Sequence, residues 1–341
     1  MVLIGNYWLA VCAFVFCMTM WGSWSNTQKL AAKTWRFELF YWDFVLGLVL
    51  TALLWGFTFG TLGEHGRTFW ADLQQADTQS IMYAMLGGLV WNIGNLLLVA
   101  AIAVAGMSVA FPIGGGIAWL GGIIFNFILE VYGGAKIEAI PTSMLFIGVG
   151  IIFVAIVLTM VAYKRLASQQ KKPSAKGITL SVFAGLFIAF FYGLVVKSMD
   201  HQFVTGGTGN LGPYSGVFFF TLGAFLTTFV FNPFFMRKPV EGSPVKMRQY
   251  FAGSLKTHSI GVLGGFLWAS GMVVSFMAVG AGDPAVSYAL SNAAPVVAIL
   301  WGVFVWKEFK GAPSGTNRIL LIMFILFLIG LGIITASKVI G

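Results

Sequence analysis

Apolar runs of about 20 residues follow one another almost from end to end of this chain. A run of that length crosses a bilayer as an α-helix, because a helix satisfies every backbone polar group within its own segment. Only 9% of the residues are charged, against roughly 25% in soluble domains. The sequence therefore predicts an all-α integral membrane protein. It leaves no stretch long enough for a soluble catalytic or nucleic-acid-binding domain.

Ten transmembrane helices are expected from these runs. In the first half they extend over Ile4 to Trp24, Phe40 to Leu62, Ile81 to Val104, Ser108 to Glu130 and Thr142 to Tyr163. In the second half they extend over Ile178 to Met199, Gly212 to Met236, His258 to Gly280, Pro284 to Val305 and Ile319 to Lys338.

Basic residues are distributed unevenly among the loops. Sixteen Lys and Arg residues lie in the loops that follow helices one, five, seven and nine, whereas the other loops hold only Arg67 and Lys136. Positively charged loops stay on the cytoplasmic side of the membrane. We therefore expect a multi-pass protein of the inner (cytoplasmic) membrane with both termini outside.

Two sets of residues recur at nearly the same distance along the chain. The segment Leu86–Gly94 matches Leu263–Gly271 at an offset of 177, and Leu46–Thr51 matches Leu222–Thr227 at an offset of 176. Five helices per copy is an odd number, so the second copy enters the membrane in the opposite sense. Such inverted repeats are typical of alternating-access transporters. We expect a first repeat over 1–167, a cytoplasmic linker over 168–177 and a second repeat over 178–341.

Three tryptophans lie near the middle of predicted helices, namely Trp91, Trp119 and Trp268. Trp91 and Trp268 are repeat mates, so a pseudo-two-fold axis would place them on opposite sides of a central cavity. Facing indoles can stack on a flat heterocycle or on the apolar face of a sugar. Helix packing is the alternative role. Trp24, near a predicted helix end, is instead expected to be an interfacial anchor.

Polar side chains at mid-membrane depth are candidates for binding a solute, because they are costly there unless they have partners. They are Asn92, Asn95, Tyr288, Ser291 and Asn292. Pro295 removes the hydrogen bond to the carbonyl of Ser291, which leaves that acceptor free. All these groups are neutral, so they suit an uncharged polar solute. Interhelical hydrogen bonding is the alternative role.

Two acidic residues lie at the start of the second helix, Glu38 and Asp43. A carboxyl group at this depth could take up and release a proton in each transport cycle. An interfacial cap, or an ion pair with Lys33 or Arg36, would explain them equally well.

Signatures of catalysis are missing from the sequence. It contains no HExxH, GxSxG or Walker A motif and no Cys/His cluster with metal-ligand spacing. We expect no enzyme activity, no cofactor and no bound metal. The expected partners are a small solute, a proton and the lipid bilayer, with no nucleic acid, and a homodimer is left open.

Several segments resemble the drug/metabolite transporter superfamily. They are Trp91–Asn95, Gly106–Pro112, Asn126–Glu130 and Asn292–Phe309, and the likeness is strongest to the branch of ureide permeases, bacterial glucose/ribose porters and rhamnose-proton symporters. The segment Lys33–Glu38 is similar to the rhamnose symporters, which carry an acidic residue at the position of Glu38. The resemblance implies ten helices and a central site lined by both halves. It favours Glu38 over Asp43 for proton coupling, and both residues stay candidates.

Our sequence-based expectation is a secondary active, proton-coupled importer of a small neutral polar metabolite, with a monosaccharide of the ribose, rhamnose or glucose type first. A ureide or nucleobase permease is the alternative, and an exporter of drugs or metabolites is a further one. A passive channel without accumulation belongs to a different class, and the inverted repeat argues against it.

Overall fold

The computed structural model describes residues 1–32, 34–133, 142–167, 175–200, 207–281 and 284–340. Within these ranges the fold is helical and forms no strand, only an isolated bridge between Met199 and Leu211. Ten helices are long and apolar enough to cross a membrane, which confirms the predicted number. They are α1 (Tyr7–Ala31), α2 (Phe37–Leu62), α3 (Thr78–Ala105), α4 (Val109–Tyr132), α5 (Ser143–Leu166), α6 (Ala175–Lys197), α7 (Pro213–Arg237), α8 (Leu255–Ala281), α9 (Pro284–Val305) and α10 (Thr316–Ser337).

Helix α1 extends one helical segment beyond its predicted end at Trp24. Ser25–Ala31 continues the helix although its residues are polar. These residues are buried against other helices: Asn26 accepts a hydrogen bond from the indole of Trp306, and Thr27 donates to the Trp24 carbonyl. Asn26 and Thr27 of this polar stretch thus find hydrogen-bond partners inside the protein, whereas Ser25 Oγ and Gln28 Oε1 are buried without a partner among the described residues.

Some of the predictions fall on parts of the chain that the structure does not describe. Lys33, Lys136 and residues 168–174 of the predicted linker lie outside the described ranges. Helix α6 begins at Ala175, so the last residues assigned to the linker are helical.

Helix contacts occur in matched sets. Helix α3 packs on α6 and α7, and the corresponding pairs α8 on α1 and α8 on α2 also form. Helices α5 and α10 pack on each other, as do α2 and α7. A two-fold axis that exchanges helices one to five with six to ten predicts this pattern of neighbours. The axis itself stays a prediction.

Glycines bring α2 and α8 into backbone contact. A Cβ added to Gly265 would overlap the carbonyl oxygen of Phe44, and one added to Gly47 would overlap the carbonyl oxygen of Val262. Any side chain at these positions would push the two helices apart. The glycines are therefore required by the close approach, as in other tightly packed membrane helices.

The same contact forms between α3 and α7, at equivalent residues. A Cβ on Gly88 would overlap the carbonyl oxygen of Phe220, and one on Gly223 would overlap that of Met85. Each of the four residues is 176 or 177 positions from its counterpart in the α2–α8 contact. The sequence repeat thus corresponds to a repeated helix crossing.

A buried ion pair joins the loop before α3 to the loop before α7. The guanidinium of Arg67 donates through Nε to Asp72 at 2.7 Å and through Nη2 to the carbonyl of Asn210 at 3.0 Å. Asp72 also accepts from the backbone N–H of Gly212 at 2.6 Å. Arg67, counted as a loop charge in the sequence, is 6% exposed and closes one end of the protein.

We expect Gly88→Ala to lower the melting temperature in detergent. The added methyl group meets a backbone carbonyl, and overpacking of this kind costs about 1–3 kcal/mol. The matched control is Gly150→Ala, because a Cβ on Gly150 has no atom within 4 Å. Fluorescence-detected size-exclusion chromatography after heating measures both. Equal stability of the two variants would contradict the role of the crossing.

We expect Arg67→Met to destabilise the fold by roughly 3–5 kcal/mol, because it leaves the buried Asp72 carboxylate without its countercharge. Arg237→Met is the control, since Arg237 is exposed at the end of α7. The free energy of unfolding in detergent distinguishes the two, and a neutral Arg67→Met would show that the pair is dispensable.

Candidate functional site at the centre of the helix bundle

Helix α9 is interrupted in the middle of its span. It consists of Pro284–Ser291, then Ala294–Leu300, then a π-helical turn over Trp301–Val305. Pro295 lies in the first turn of the second segment, where its missing N–H is tolerated. The break leaves Asn292 between two helical segments, with its side chain at a cavity in the centre of the bundle.

The central cavity is small and mainly aromatic. Its volume is about 70 Å³, roughly the space of two waters at ~30 Å³ each. Residues from α1, α3, α4, α6, α8 and α9 line it, so both halves of the chain contribute. The aromatic ones are Trp21, Trp24, Trp91, Phe111, Trp119, Phe191 and Trp268, and the polar ones are Asn95 and Asn292.

Trp268 lies at the centre of the aromatic cluster. Its ring is stacked on Trp21, with centroids 5.0 Å apart and an interplanar angle of 16°. It also stacks on Phe220 at 5.5 Å and 11°, and touches Trp91 at 4.3 Å and 47°. Trp91 and Trp268 therefore form one wall together. The expectation that they face each other across a cavity is wrong, because their ring centroids are only 4.3 Å apart.

The cavity presents hydrogen-bonding groups that the protein leaves unused. Within the described residues, the Nε1–H groups of Trp24, Trp91 and Trp268 have no protein acceptor. Asn95 donates through Nδ2 to the hydroxyl of Tyr41 at 3.1 Å, and Asn292 donates to the carbonyl of Tyr288 at 3.2 Å. No described donor bonds the amide oxygen of either asparagine. The site thus offers indole donors and amide acceptors around aromatic faces.

Three predicted site residues do not line the cavity. Asn92 accepts from Tyr41 at 2.8 Å and donates to Thr227 at 3.0 Å, on the side of α3 that faces α2 and α7. It follows Trp91 directly, so the helix turns it about 100° away from that ring. Tyr288 donates to the carbonyl of Ala118 at 2.7 Å.

Ser291, the third of them, shares a hydrogen bond of 2.9 Å with Ser275. Both hydroxyls are buried between α8 and α9. For Asn92, Tyr288 and Ser291 the structure therefore favours the alternative role of interhelical hydrogen bonding.

Trp24 is a cavity residue that the sequence interpretation missed. It was assigned to the membrane interface because a polar segment follows it. That segment is helical, so Trp24 lies within α1, is only 2% exposed, and packs on Phe44 at 4.9 Å. The helical spacing from Trp21 to Trp24 could have identified it, since residues three apart share a helix face.

The two acidic candidates have different partners. Glu38 accepts from Arg36 at both oxygens, at 2.5 and 3.1 Å, so its ion pair with Arg36 is the one formed. Asp43 accepts from the hydroxyl of Tyr250 at 2.7 Å and contacts Nδ1 of His258 at 2.9 Å. Neither carboxylate reaches the central cavity.

Two larger openings lie on either side of the cavity along α4. One, a vestibule of about 910 Å³, is lined by Gly106 before α4 and by Lys29 and Arg36. The other, of about 560 Å³, is lined by Asn126 and Lys197 among others, beyond the cavity on α4. The residues in and just before α4 that line the three spaces succeed one another along the helix, which rises 1.5 Å per residue. The three spaces therefore follow one another along the bundle axis.

Comparisons with known proteins agree on one family. A family model described as ureide permease matches residues 40–176 and 163–337. Ureide permease 1 of Arabidopsis thaliana is 24% identical, with 96% of this chain and 97% of that protein covered. Ureide permease 2 of the same plant has the same identity and coverage.

Two further matches are more distant. A "Putative sugar uptake protein" of Listeria innocua serovar 6a is 22% identical, with 82% of this chain and 86% of that protein covered. A solved crystal structure superposes with a TM-score of 0.59 at 14% identity and covers 95% of both chains, which shows a shared fold. The family match extends over far more than half of the residues. This chain is therefore a multi-pass membrane transporter that belongs to the ureide permease family.

Proposed function

We propose that this protein is a secondary active, proton-coupled importer of a flat, uncharged, amide-rich ring compound of the ureide or nucleobase class. The observation that carries the proposal is the central cavity, where aromatic faces are combined with indole donors and asparagine acceptors at its edge. A cyclic ureide or nucleobase presents N–H donors and carbonyl acceptors in its ring plane and π or apolar faces above and below. None of the described residues that line the cavity carries an ionisable side chain, so a neutral solute fits it best.

The ring in this proposal stacks against the wall formed by Trp91 and Trp268. Its carbonyl groups accept from the free indole N–H groups, and its N–H groups donate to the amide oxygens of Asn95 and Asn292. Buried donors and acceptors that match a ligand give strong discrimination, because a wrong ligand leaves them unpaired. The binding residues are thus Trp91, Asn95, Trp119, Trp268 and Asn292, together with Trp24.

A monosaccharide, our first expectation from sequence, is the second candidate. The relative named for sugar uptake favours it, and a sugar can lay its apolar face on an indole. The relatives named as ureide permeases cover more of this chain and are slightly more similar to it. The few polar groups at the cavity also suit an amide edge better than hydroxyls on every side of a ring.

Alternating access is the transport mechanism in this proposal. The cavity is nearly filled by side chains, while openings lie on both sides of it. This is expected for a protein that exposes one central site to the two sides of the membrane in turn. A ring compound needs more space than 70 Å³, so the rings around Trp268 must separate when it binds. By the distribution of basic loops, the vestibule near Lys29 faces the cytoplasm.

The test of substrate class is uptake of labelled allantoin, uracil and ribose into proteoliposomes with an imposed inward proton gradient. We expect allantoin or uracil to accumulate and to lose accumulation when a protonophore is added. Ribose is expected neither to accumulate nor to compete. Accumulation of ribose alone would overturn the ureide assignment in favour of the sugar porter. Efflux without uptake would instead indicate the exporter.

The test of the site is Trp268→Phe and Trp91→Phe. Phenylalanine keeps an aromatic face but removes an indole donor, a hydrogen bond of about 0.5–1.5 kcal/mol, so KM is expected to rise roughly 2- to 10-fold. Trp42→Phe is the matched control, because Trp42 is also buried but donates to the sulfur of Met236 away from the cavity. An unchanged KM in both cavity variants would remove these donors from the site.

A further inference from the structure

A cluster of titratable side chains lies at the end of the α2–α8 contact, away from the central cavity. His258 at the start of α8 holds Nδ1 at 2.9 and 3.0 Å from the two carboxylate oxygens of Asp43. The hydroxyl of Tyr250 donates to Asp43 at 2.7 Å. The ring of Trp35 meets the His258 ring edge-on at 4.8 Å and stacks on Tyr250 at 5.7 Å.

The cluster can exchange protons with water. Asp43 is 2% exposed, whereas the side chain of His258 is 24% exposed, so the imidazole lies between the carboxylate and solvent. Histidine changes its charge between about pH 5 and 8 in ordinary surroundings. Burial and the Asp43 carboxylate raise the pKa of Tyr250 well above its ordinary value, so its phenol keeps its proton and remains a donor.

Glu38, the other acidic candidate, is paired with a guanidinium group. Both of its oxygens accept from the guanidinium of Arg36, and its backbone carbonyl accepts from Asn232 at 2.8 Å. Arginine stays charged at all physiological pH values. Protonation of Glu38 would leave that guanidinium without its countercharge next to a fully buried carboxyl group. The Asp43 partner, in contrast, can itself gain and lose a proton.

The repeat shows that helix packing alone does not require the Asp43–His258 pair. At the offsets of 176 and 177, the counterparts of Asp43 and His258 in the α3–α7 contact are Phe219 and Ile81. That contact has the same glycine-to-carbonyl approach with apolar residues at these places. Among the described residues, a carboxylate–imidazole pair occurs at only one of the two equivalent crossings, which points to a role other than holding the helices together.

The pair has a direct mechanical link to the central site. Next to Asp43 on α2 lies Phe44, whose ring packs on Trp91. On α8, His258 precedes Trp268 by ten residues, about 15 Å along the helix. Gly261 lies against the Cβ of Asp43, so a change at the pair acts on the contact of α2 with α8, the helix that carries Trp268.

We propose that Asp43 and His258, assisted by Tyr250, bind the coupling proton, and that Glu38 is structural. The inference rests on the proposed proton coupling and not on the identity of the solute. Water delivers one proton to Nε2 of His258, which turns the hydrogen bond between a neutral imidazole and the Asp43 carboxylate into an ion pair. The same proton leaves Nε2 later in the cycle, so one proton enters and one leaves. The stronger pair closes α8 onto α2. When the proton leaves, the pair weakens and the contact between the two helices loosens.

The groups around the pair are few within the described chain. Asp43 contacts Tyr250 and His258, and His258 contacts Asp43 and the rings of Tyr250 and Trp35. The nearest ion pair on α2, Arg36 with Glu38, faces Asn232 on α7.

The first test compares two transport modes in proteoliposomes, with whichever labelled solute of the panel the wild type accumulates. We expect Asp43→Asn and His258→Gln to lose accumulation driven by a proton gradient and to keep exchange of labelled for unlabelled solute. Retained exchange shows that the variants fold and bind. Glu38→Gln is expected to keep the response to the gradient, and the exposed Glu241→Gln is the control. Gradient-driven accumulation in Asp43→Asn, or its loss in Glu38→Gln with exchange intact, would overturn the assignment.

The second test needs no solute, so it separates this inference from the substrate proposal. A protonated imidazole quenches an indole that it touches, and Trp35 touches His258. We expect tryptophan fluorescence of the detergent-solubilised protein to fall on acidification. The fall should be absent from His258→Gln and from Trp35→Phe. Identical fluorescence curves for wild type and His258→Gln would show that His258 does not take up the proton.

Discussion

The glycine-to-carbonyl contacts of α2 with α8 and of α3 with α7 are the constraint on which the rest of the structure depends. At Gly265 and Gly88 the backbones meet without an intervening side chain. Lipid tails give no hydrophobic reason for two helices to associate, so close packing of small residues is what holds them. Trp91 on α3 and Trp268 on α8 each follow one of these glycines by three residues, and their rings touch and form a single aromatic wall.

The same two crossings explain how solute and proton could be linked. Helix α8 carries His258 at one end and Trp268 at its middle, and α2 carries Asp43 beside a ring that packs on the wall. A change in charge at the end of the α2–α8 contact therefore acts on α8, which carries one ring of the wall, and on Phe44, which packs on the other ring. Two helices in a packed interface have few intermediate arrangements, which suits a switch between two states.

Much of this arrangement could be predicted from the sequence. The length of each apolar run determines a transmembrane helix, and the internal repeat marks the two places where helices cross at glycines. Trp91 and Asn95 could be placed at a common face from helical spacing alone. The same spacing places Trp24 on the face of Trp21 but does not predict its burial, because the partners that bury the polar segment after it lie far along the chain. The contact of Asp43 with His258 joins residues 215 apart and depends on how two helices cross, which no local pattern encodes.

The most direct test of the central site is protection of a cysteine placed in its wall. Ala118 lines the cavity on α4, and a small methanethiosulfonate reagent can report its accessibility in Ala118→Cys on a background in which the exposed Cys12 is replaced by serine. The account predicts that the transported solute slows modification, with half-protection at a concentration close to its KM for uptake. Modification at an unchanged rate under saturating solute would contradict the placement of the binding site beside Trp268.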